Sequence, residues 1–179
     1  RMSLLSGLRV VQLGEGRAAA VCGRLFADSG ATVAATHDGG ADAASVFLNH
    51  GKRLTGSTPG LAPDLAEALA GAHLVIAEGG PKALQAAGWD ADALRRLAPD
   101  AAIVLISPFG QTGPRADEPA TDLTLFYASG IARLLTGQVD DLSEPPIHAV
   151  AEQSAIIGGV AAACAGMHAV LAGGGGAPA

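Results

Sequence analysis

Short apolar runs alternate with longer stretches of helical periodicity through the first two thirds of the chain. The apolar runs have the length of strands and lie at residues 8–14, 31–36, 72–78 and 101–107. Helical spacing of apolar residues marks the segments 17–29, 62–70, 81–87 and 90–97. Continuously apolar strands separated by helices are typical of a parallel sheet that is covered on both faces. The pattern therefore predicts an α/β fold, a Rossmann-like doubly wound sheet that is mostly parallel and flanked by helices.

The pattern changes after residue 107. A segment rich in Gly, Pro and charge, "PFGQTGPRADEPATD", precedes two helical stretches at 122–136 and about 149–172. Residues 155–172 carry no charge and reach the length of a membrane span. This segment is mostly Ala and Gly, contains His168 and has no flanking Lys or Arg. We therefore expect a long buried helix of a protein core and no membrane partner.

Length and composition favour one soluble domain. The 179 residues are enough for a single core, which we place at 3–172, and the Gly-rich end, 173–179, is typical of a linker or tail. A net charge of −6 with few basic residues predicts no nucleic-acid partner. Two distant cysteines and no metal-ligand spacing predict neither a disulfide framework nor a metal site. Without a signal-peptide pattern, we expect a cytoplasmic protein.

The stretch "VVQLGEGRAAAVCG", residues 10–23, contains a glycine turn between a strand and a helix. Gly14, Gly16 and Ala19 satisfy the relaxed dinucleotide pattern GxGxx(G/A), and Asp38 lies where a ribose-binding acid would end the second strand. A tight turn that needs glycine only for its backbone angles explains the same residues. From these residues alone, an NAD(P) site and a structural turn both stay open.

Several segments, in order, resemble the family III CoA transferases, the group of formyl-CoA transferase, carnitine-CoA transferase and methylacyl-CoA racemase. These are the opening "LSGLRVVQLGEGRAAAVCGRLFADSGATV", then "NHGKRL", then the run from "AHLVIAEGG" to "PFGQTGP". The resemblance extends over essentially the whole chain. Its most specific part is "PFGQTGP" at 108–114. We therefore identify the chain as similar to the N-terminal portion of that family's large domain.

The resemblance implies a site for coenzyme A, with acyl-CoA as the substrate. In the family the first turn contacts the adenine nucleotide of CoA rather than NAD, and cations or backbone amides bind its phosphates. The residues that these expectations point to are Glu15, Gly16, Arg17, Lys52, Arg53 and Glu78. For the cationic ones, a solvated surface charge is the alternative. Where the family has "EN" after its central strand, this chain has Ala77 and Glu78.

The glycine loop "FGQTG" is a candidate for stabilising an oxyanion during acyl transfer. In the family such loops close over the reacting thioester, so the resemblance implies this role for Gly110 and Gly113. A surface turn ending in Pro114 accounts for the same composition.

The family's nucleophile is missing from its expected position. The transferases attack acyl-CoA with an aspartate and pass through an enzyme-bound CoA thioester. Counting forward from Pro146 and back from Gly159 leads to Ala155. Glu152 lies one helical turn away and could replace the aspartate, or it caps the N-terminus of the following helix.

The racemase branch also lacks its base here. That branch has "HD" where this chain has Thr121 and Asp122, and threonine does not titrate near neutral pH. Three functions therefore stay open: an acyl-CoA transferase or isomerase, a non-catalytic paralogue that binds CoA or pairs with an active subunit, and an NAD(P)-binding domain. Family members are longer and their two chains interlock, so the resemblance implies a homodimer or a complementary chain.

Overall fold

The chain folds around a five-stranded parallel sheet. The computed structural model describes residues 3–37, 42–56, 62–132, 143 and 149–173. The strands are β1 (Arg9–Leu13), β2 (Thr32–His37), β3 (Arg53–Gly56), β4 (Leu74–Glu78) and β5 (Ala102–Ile106). Their order in the sheet is β3-β2-β1-β4-β5, and every pairing is parallel. This confirms the predicted doubly wound α/β fold.

Helices cover both faces of the sheet. They are α1 (Arg17–Asp28), α2 (Ala43–Asn49), α3 (Pro63–Ala70), α4 (Pro81–Ala87), α5 (Ala91–Leu97), α6 (Asp122–Ala128) and α7 (Gln153–Leu171). Successive side chains of one strand lie on opposite faces of the sheet, as the two-residue period of a strand requires. Val10 and Leu74 pack with α1 and α7, whereas Val11 and Val75 pack with α3, α4 and α5. The two cores therefore share the central strands β1 and β4.

The order in which the chain adds strands to the sheet reverses between β1 and β4, although all the strands are parallel. The chain runs from β1 outward to β3 and then returns to β4, which pairs with β1 on its other side. In open parallel sheets, ligands bind outside the carboxyl ends of the strands at such a reversal. The turn from β1 to α1 and the loop after β4 meet there.

Helix α7 packs closely against α1. A Cβ added to Gly159 would lie 2.6 Å from the carbonyl oxygen of Ala18 and 2.6 Å from Cβ of Val21. Because no such atom fits, glycine allows the two helices to approach each other. Ala162 and Gly166 continue the buried face of α7, and Gly166 faces Leu74 of the sheet.

The prediction that the C-terminal helix is buried holds on one face only. Ile156, Ile157 and Val160 remain 42%, 50% and 44% exposed, because no described element covers the outer face of α7. By length and composition alone, α7 is apolar enough to cross a membrane. Its inner face nevertheless packs on α1 and β5.

The remaining predictions of elements differ in detail. The sequence patterns missed α2 and β3. The predicted helix at 122–136 is interrupted, because α6 ends at Ala128 and Gly130 has a φ of +79°; positions 131 and 132 are helical again, and 133–136 lie outside the described residues. Helix α7 begins at Gln153 rather than near 149. The predicted glycine-rich tail lies outside the described residues from 174 onward.

Candidate active site

A cavity of about 830 Å³ opens at the carboxyl ends of β4 and β5. The first turns of α1 and α7, helix α6 and the loop after β5 enclose it. Most of its surface is apolar, with Ile106, Phe109, Leu125, Phe126 and Ile157 among the lining residues. Its size is in the usual range for a site that binds a small molecule.

A carboxylate from β4 occupies the N-terminus of α1. Oε2 of Glu78 accepts a hydrogen bond of 2.6 Å from the backbone N–H of Ala19, and the N–H of Ala18 also bonds to this carboxylate. A Cβ at Gly16 would overlap the Glu78 carboxyl group. Gly16 is therefore needed for the approach of Glu78. A helix N-terminus favours an anion, and here the anion is internal.

Burial raises the pKa of Glu78 above its usual value. The bonds from the two backbone N–H groups act in the opposite direction, and the nearby Glu152 carboxylate raises the pKa further. Because burial has the largest effect, ionised Glu78 carries an energetic cost in the folded protein.

Arg17, in the first turn of α1, links three helices. Its Nε donates to Oε2 of Glu152 over 2.9 Å, and its two terminal nitrogens donate to Oγ of Ser45 at 2.9 Å and Oδ1 of Asp42 at 3.0 Å. Hydrogen bonds from Ser45, and then from Arg17, lower the pKa of Asp42 below its usual range. Arg17 therefore connects α1 with α2 and with the start of α7.

The first turn of α7 is capped from another helix. Glu152 occupies the N-cap position, but its side chain forms no capping bond. Instead, Oδ1 of Asp122 in α6 accepts a hydrogen bond of 2.8 Å from the N–H of Ser154 and another from the Ser154 hydroxyl. Glu152 therefore holds the predicted N-cap position, but Asp122 supplies the side-chain capping bond. Ala155, next along the helix, lines the cavity.

The loop after β5 is held by side chains. Nε2 of Gln111 donates to the carbonyl oxygen of Gly79 over 2.9 Å, and the Arg115 guanidinium lies 4.0 Å from the centre of the Phe109 ring. Gly110 and Gly113 have φ values of +84° and +100°, which favour glycine. Both are exposed, and neither lines the cavity.

The predicted CoA-binding cations lie in different places. Nζ of Lys52 donates to Oε1 of Gln12 at 2.7 Å, to the carbonyl oxygen of Ala20 at 2.8 Å and to Oδ1 of Asn49 at 3.2 Å. Burial lowers the pKa of Lys52 to about 8. Arg53 is exposed on β3.

The predicted site residues therefore form two groups. Arg17, Glu78 and Glu152 come together on the cavity wall. The residues away from the wall are Glu15, Gly16, Lys52, Arg53, Gly110 and Gly113. Asp38, part of the dinucleotide alternative, lies outside the described residues. Within the described part of the chain, no three His, Cys, Asp or Glu side chains cluster as metal ligands would.

Two residues of the wall were not assigned roles from the sequence. Asp122 was noted only as a match to the racemase pattern, and its contact with Ser154 spans 32 residues of sequence. Ser107 directly follows β5 and lines the cavity. Its position at the carboxyl end of a parallel strand is a signal that could have indicated it.

The comparison with protein families decides the identity of the fold. The model of CoA-transferase family III matches residues 62–176, more than half of the chain. The chain belongs to CoA-transferase family III. The family III resemblance seen in the sequence is thereby confirmed.

Individual known proteins are also similar to this chain in sequence or in fold. The chain is 28% identical to the cinnamoyl-CoA:phenyllactate CoA-transferase of Clostridium sporogenes, with 72% of this chain and 36% of that protein covered. A CAIB/BAIF family protein from Brucella suis has a similar fold, with a TM-score of 0.80 and 24% identity over 96% of this chain and 50% of that one. Protein Rv3272 of Mycobacterium tuberculosis also has a similar fold, with a TM-score of 0.76 and 21% identity over 95% of this chain and 51% of that one. This family III chain therefore spans about a third of the curated relative and about half of the solved structures.

Proposed function

We propose that this chain handles acyl-CoA thioesters and that the cavity at the ends of β4 and β5 receives the thioester end of the substrate. The observation that carries the proposal is the position of the cavity in a family III fold. The cavity lies beside the reversal between β1 and β4, where α/β proteins bind ligands. The curated relative named above transfers CoA between cinnamoyl and phenyllactate partners, according to its name.

The chemistry of the wall suits an acyl group and the arm that carries it. The pantetheine arm of CoA is long and uncharged, so it requires apolar walls with a few hydrogen-bonding groups. The phosphates of CoA require cations. Arg115 lines the cavity with its side chain half exposed, and it is the cation to which we assign a phosphate contact.

Glu152 is the carboxylate to which we assign the transfer chemistry. Its oxygen would attack the thioester carbonyl, the C–S bond would break, and CoA would leave as the thiolate with an acyl anhydride on the enzyme. Attack of the thiolate on the Glu152 carbonyl would then release the acyl group as its carboxylate and leave CoA bound to the enzyme as a thioester. An acceptor carboxylate would attack this thioester and reverse the two steps, which forms the new acyl-CoA and frees the Glu152 carboxylate. The side chain is 53% exposed, and its ion pair with Arg17 holds the carboxylate beside the cavity.

A non-catalytic role is the second candidate. Ala155 stands where the family resemblance implies an aspartate, and it presents only a methyl group to the cavity. Under this candidate the chain binds CoA and pairs with a second copy or a complementary chain. The exposed apolar residues of α7, Ile156, Ile157 and Val160, favour such a partner because an apolar face gains free energy when it is covered.

An NAD(P) site is disfavoured by Glu78. A dinucleotide places its diphosphate at the N-terminus of the first helix, and the Glu78 carboxylate already bonds to Ala18 and Ala19 there. A second anion at the same position would be repelled. The glycine turn is therefore better explained by the approach of Glu78.

Thermal unfolding with a panel of ligands tests the proposal. The panel is CoA, acetyl-CoA, succinyl-CoA, NAD and NADP, each at a fixed high concentration. A ligand at a hundred times its Kd adds about 2.7 kcal/mol of stability, so the CoA compounds are expected to raise Tm while NAD and NADP do not. A rise with NAD and none with CoA would contradict the proposal.

Acyl transfer separates the two candidates. If the chain is catalytic, wild type transfers CoA from acetyl-CoA to a carboxylic acid, and Glu152→Gln abolishes transfer while CoA still raises Tm. Binding of CoA without transfer by wild type would support the non-catalytic candidate. Unchanged transfer by Glu152→Gln would remove Glu152 from the mechanism.

A further inference from the structure

Ser107 carries a buried hydroxyl that has no partner within the described part of the chain. It follows β5 directly and lines the cavity. Its Oγ is shielded from solvent and forms no hydrogen bond with any residue that the structure describes. The side chains beside it on the wall, those of Ile106, Pro108 and Phe109, offer no polar atom.

Ser107 differs in this respect from the other polar side chains on the wall. Each of those forms a hydrogen bond or an ion pair with another described residue. The hydroxyl of Ser129, for example, donates to the carbonyl oxygen of Phe126 over 3.1 Å, and Nε2 of Gln153 donates to the carbonyl oxygen of Val150 over 2.9 Å. Among the polar side chains that the structure describes on this wall, Ser107 is thus the one without an internal partner.

An unused buried hydroxyl is unfavourable for folding. A polar group taken out of water without a partner loses its hydration and gains nothing in return. Most buried polar side chains in native proteins are therefore paired, and an exception requires an explanation. A bound ligand supplies one, because rotation about the Cα–Cβ bond can turn the shielded hydroxyl toward the cavity, where it can donate to a ligand oxygen.

We propose that Ser107 is a binding residue whose hydroxyl donates a hydrogen bond to a carbonyl oxygen of acyl-CoA. This inference rests on the proposed function and adds the residue that recognises the substrate. Acyl-CoA offers two kinds of carbonyl, that of the thioester and those of the pantetheine amides. Both are uncharged acceptors that suit the apolar wall around Ser107.

The variant Ser107→Ala tests this role, because loss of the hydroxyl should not lower the stability of the unliganded protein but should weaken binding of the substrate. Without ligand, we expect Ser107→Ala to keep the wild-type Tm or to raise it by about 2–4 °C, since an unpaired group is removed. Its affinity for acetyl-CoA, measured by isothermal titration, should fall about five- to tenfold. Ser129→Ala is the matched control for folding, and it should not raise Tm because its hydroxyl is paired.

Titration with CoA, which lacks the thioester, distinguishes the two carbonyls. If Ser107→Ala weakens only acetyl-CoA, the hydroxyl contacts the thioester carbonyl, and if it weakens both equally, the contact is with a pantetheine amide. Equal affinity of wild type and Ser107→Ala for both compounds would overturn the inference, as would a lower Tm of the unliganded variant. If wild type itself binds neither compound, the proposed function fails, and the binding role of Ser107 fails with it.

Discussion

Helices α1 and α7 both begin at the cavity, and both receive a carboxylate from another element at their first turn. Glu78 at the end of β4 accepts from the N–H groups of Ala18 and Ala19 in α1. Asp122 in α6 accepts from the N–H of Ser154 in α7. A negative charge at a helix N-terminus satisfies unpaired amides and the helix dipole. The two starts are therefore alike in electrostatics.

They differ in the space that remains beside the carboxylate. At α1, the Glu78 group fills the turn so closely that only glycine fits at position 16. At α7, the turn faces the cavity and presents Ala155 to it. The Glu78 carboxylate thus occupies the amides at the start of α1, although Arg17 still lines the cavity, whereas the first turn of α7 presents a small side chain to it. We infer that a substrate approaches α7 and that the first turn after β1 serves the fold.

The contact between α1 and α7 holds the two starts together, and changing it has the largest expected effect. Gly159→Ala would force a methyl group to within 2.6 Å of the Ala18 carbonyl oxygen, so the helices must separate. We expect a loss of about 3 kcal/mol of unfolding free energy, measured by urea denaturation.

The neighbouring glycine is the control for that prediction. A Cβ at Gly158 would lie 3.8 Å from Cβ of Ala18, an ordinary contact. Gly158→Ala should leave stability unchanged or raise it by up to about 1 kcal/mol, because alanine favours a helix over glycine. Equal losses in the two variants would show that the helices do not meet at Gly159.

Glu78→Ala tests the contact between the Glu78 carboxylate and the first turn of α1. It leaves the Ala18 and Ala19 N–H groups without their acceptor, and we expect a loss of about 2 kcal/mol of unfolding free energy at neutral pH. Urea denaturation measures this loss. Glu67→Ala, at an acidic residue of α3 away from the cavity, is the control and should change stability by less than about 0.5 kcal/mol.

Ionisation of Glu78 makes the stability of the folded protein depend on pH. Because the folded pKa is raised, Glu78 ionises more readily in the unfolded chain, and its contribution to stability is full below the unfolded pKa and falls as pH rises through the folded pKa. Glu78→Gln keeps an acceptor oxygen and cannot ionise. The Tm of Glu78→Gln minus that of wild type should therefore increase between pH 4 and pH 7. A difference that stays constant would contradict the burial of this carboxylate.

Asp122→Ala tests the contact between the Asp122 carboxylate and the first turn of α7, and we expect a smaller loss of stability than for Glu78→Ala. The variant removes the cap of α7, which costs about 1 kcal/mol for a typical helix. Urea denaturation should show this loss, and hydrogen exchange should show faster exchange at the first turn of α7. Full stability of Asp122→Ala would mean that the turn is held by other contacts.

Glu152→Gln is expected to change stability least. The ion pair between Arg17 and Glu152 is substantially exposed, and such pairs contribute up to about 1 kcal/mol. We expect a loss below about 0.5 kcal/mol by urea denaturation. A loss larger than that of Asp122→Ala would make Glu152 the more important stabiliser of the α7 start.

The local pattern of apolar and polar residues was sufficient to predict most elements of the fold. The central strands and their helices have continuous apolar runs or helical spacing because they are buried on fixed faces. Strand β3 has no such run, since Arg53 and Leu54 are exposed on it. Helix α2 contains no buried residue. Elements that bury little leave a weak signal in the sequence.

The candidate site was predictable only in part. Arg17, Glu78 and Glu152 could be selected as charged residues near glycine turns and helix starts, and the cavity contains all three. Their partners could not be predicted, because the bond from Ala19 to Glu78 spans 59 residues and depends on the pairing of β1 with β4. The unpaired hydroxyl of Ser107 is likewise a property of the folded cavity, since it depends on what does not lie beside it.

The most direct test of the central claim is a titration of acetyl-CoA into a variant whose cavity is filled. Ala155→Trp places a large side chain on the cavity wall, and Ala161→Trp places the same side chain at an exposed position of α7 away from the cavity. With Tm values confirming that both variants fold, binding should be lost in Ala155→Trp and kept in Ala161→Trp. Wild-type affinity in Ala155→Trp would contradict the account, because the ligand would then bind elsewhere.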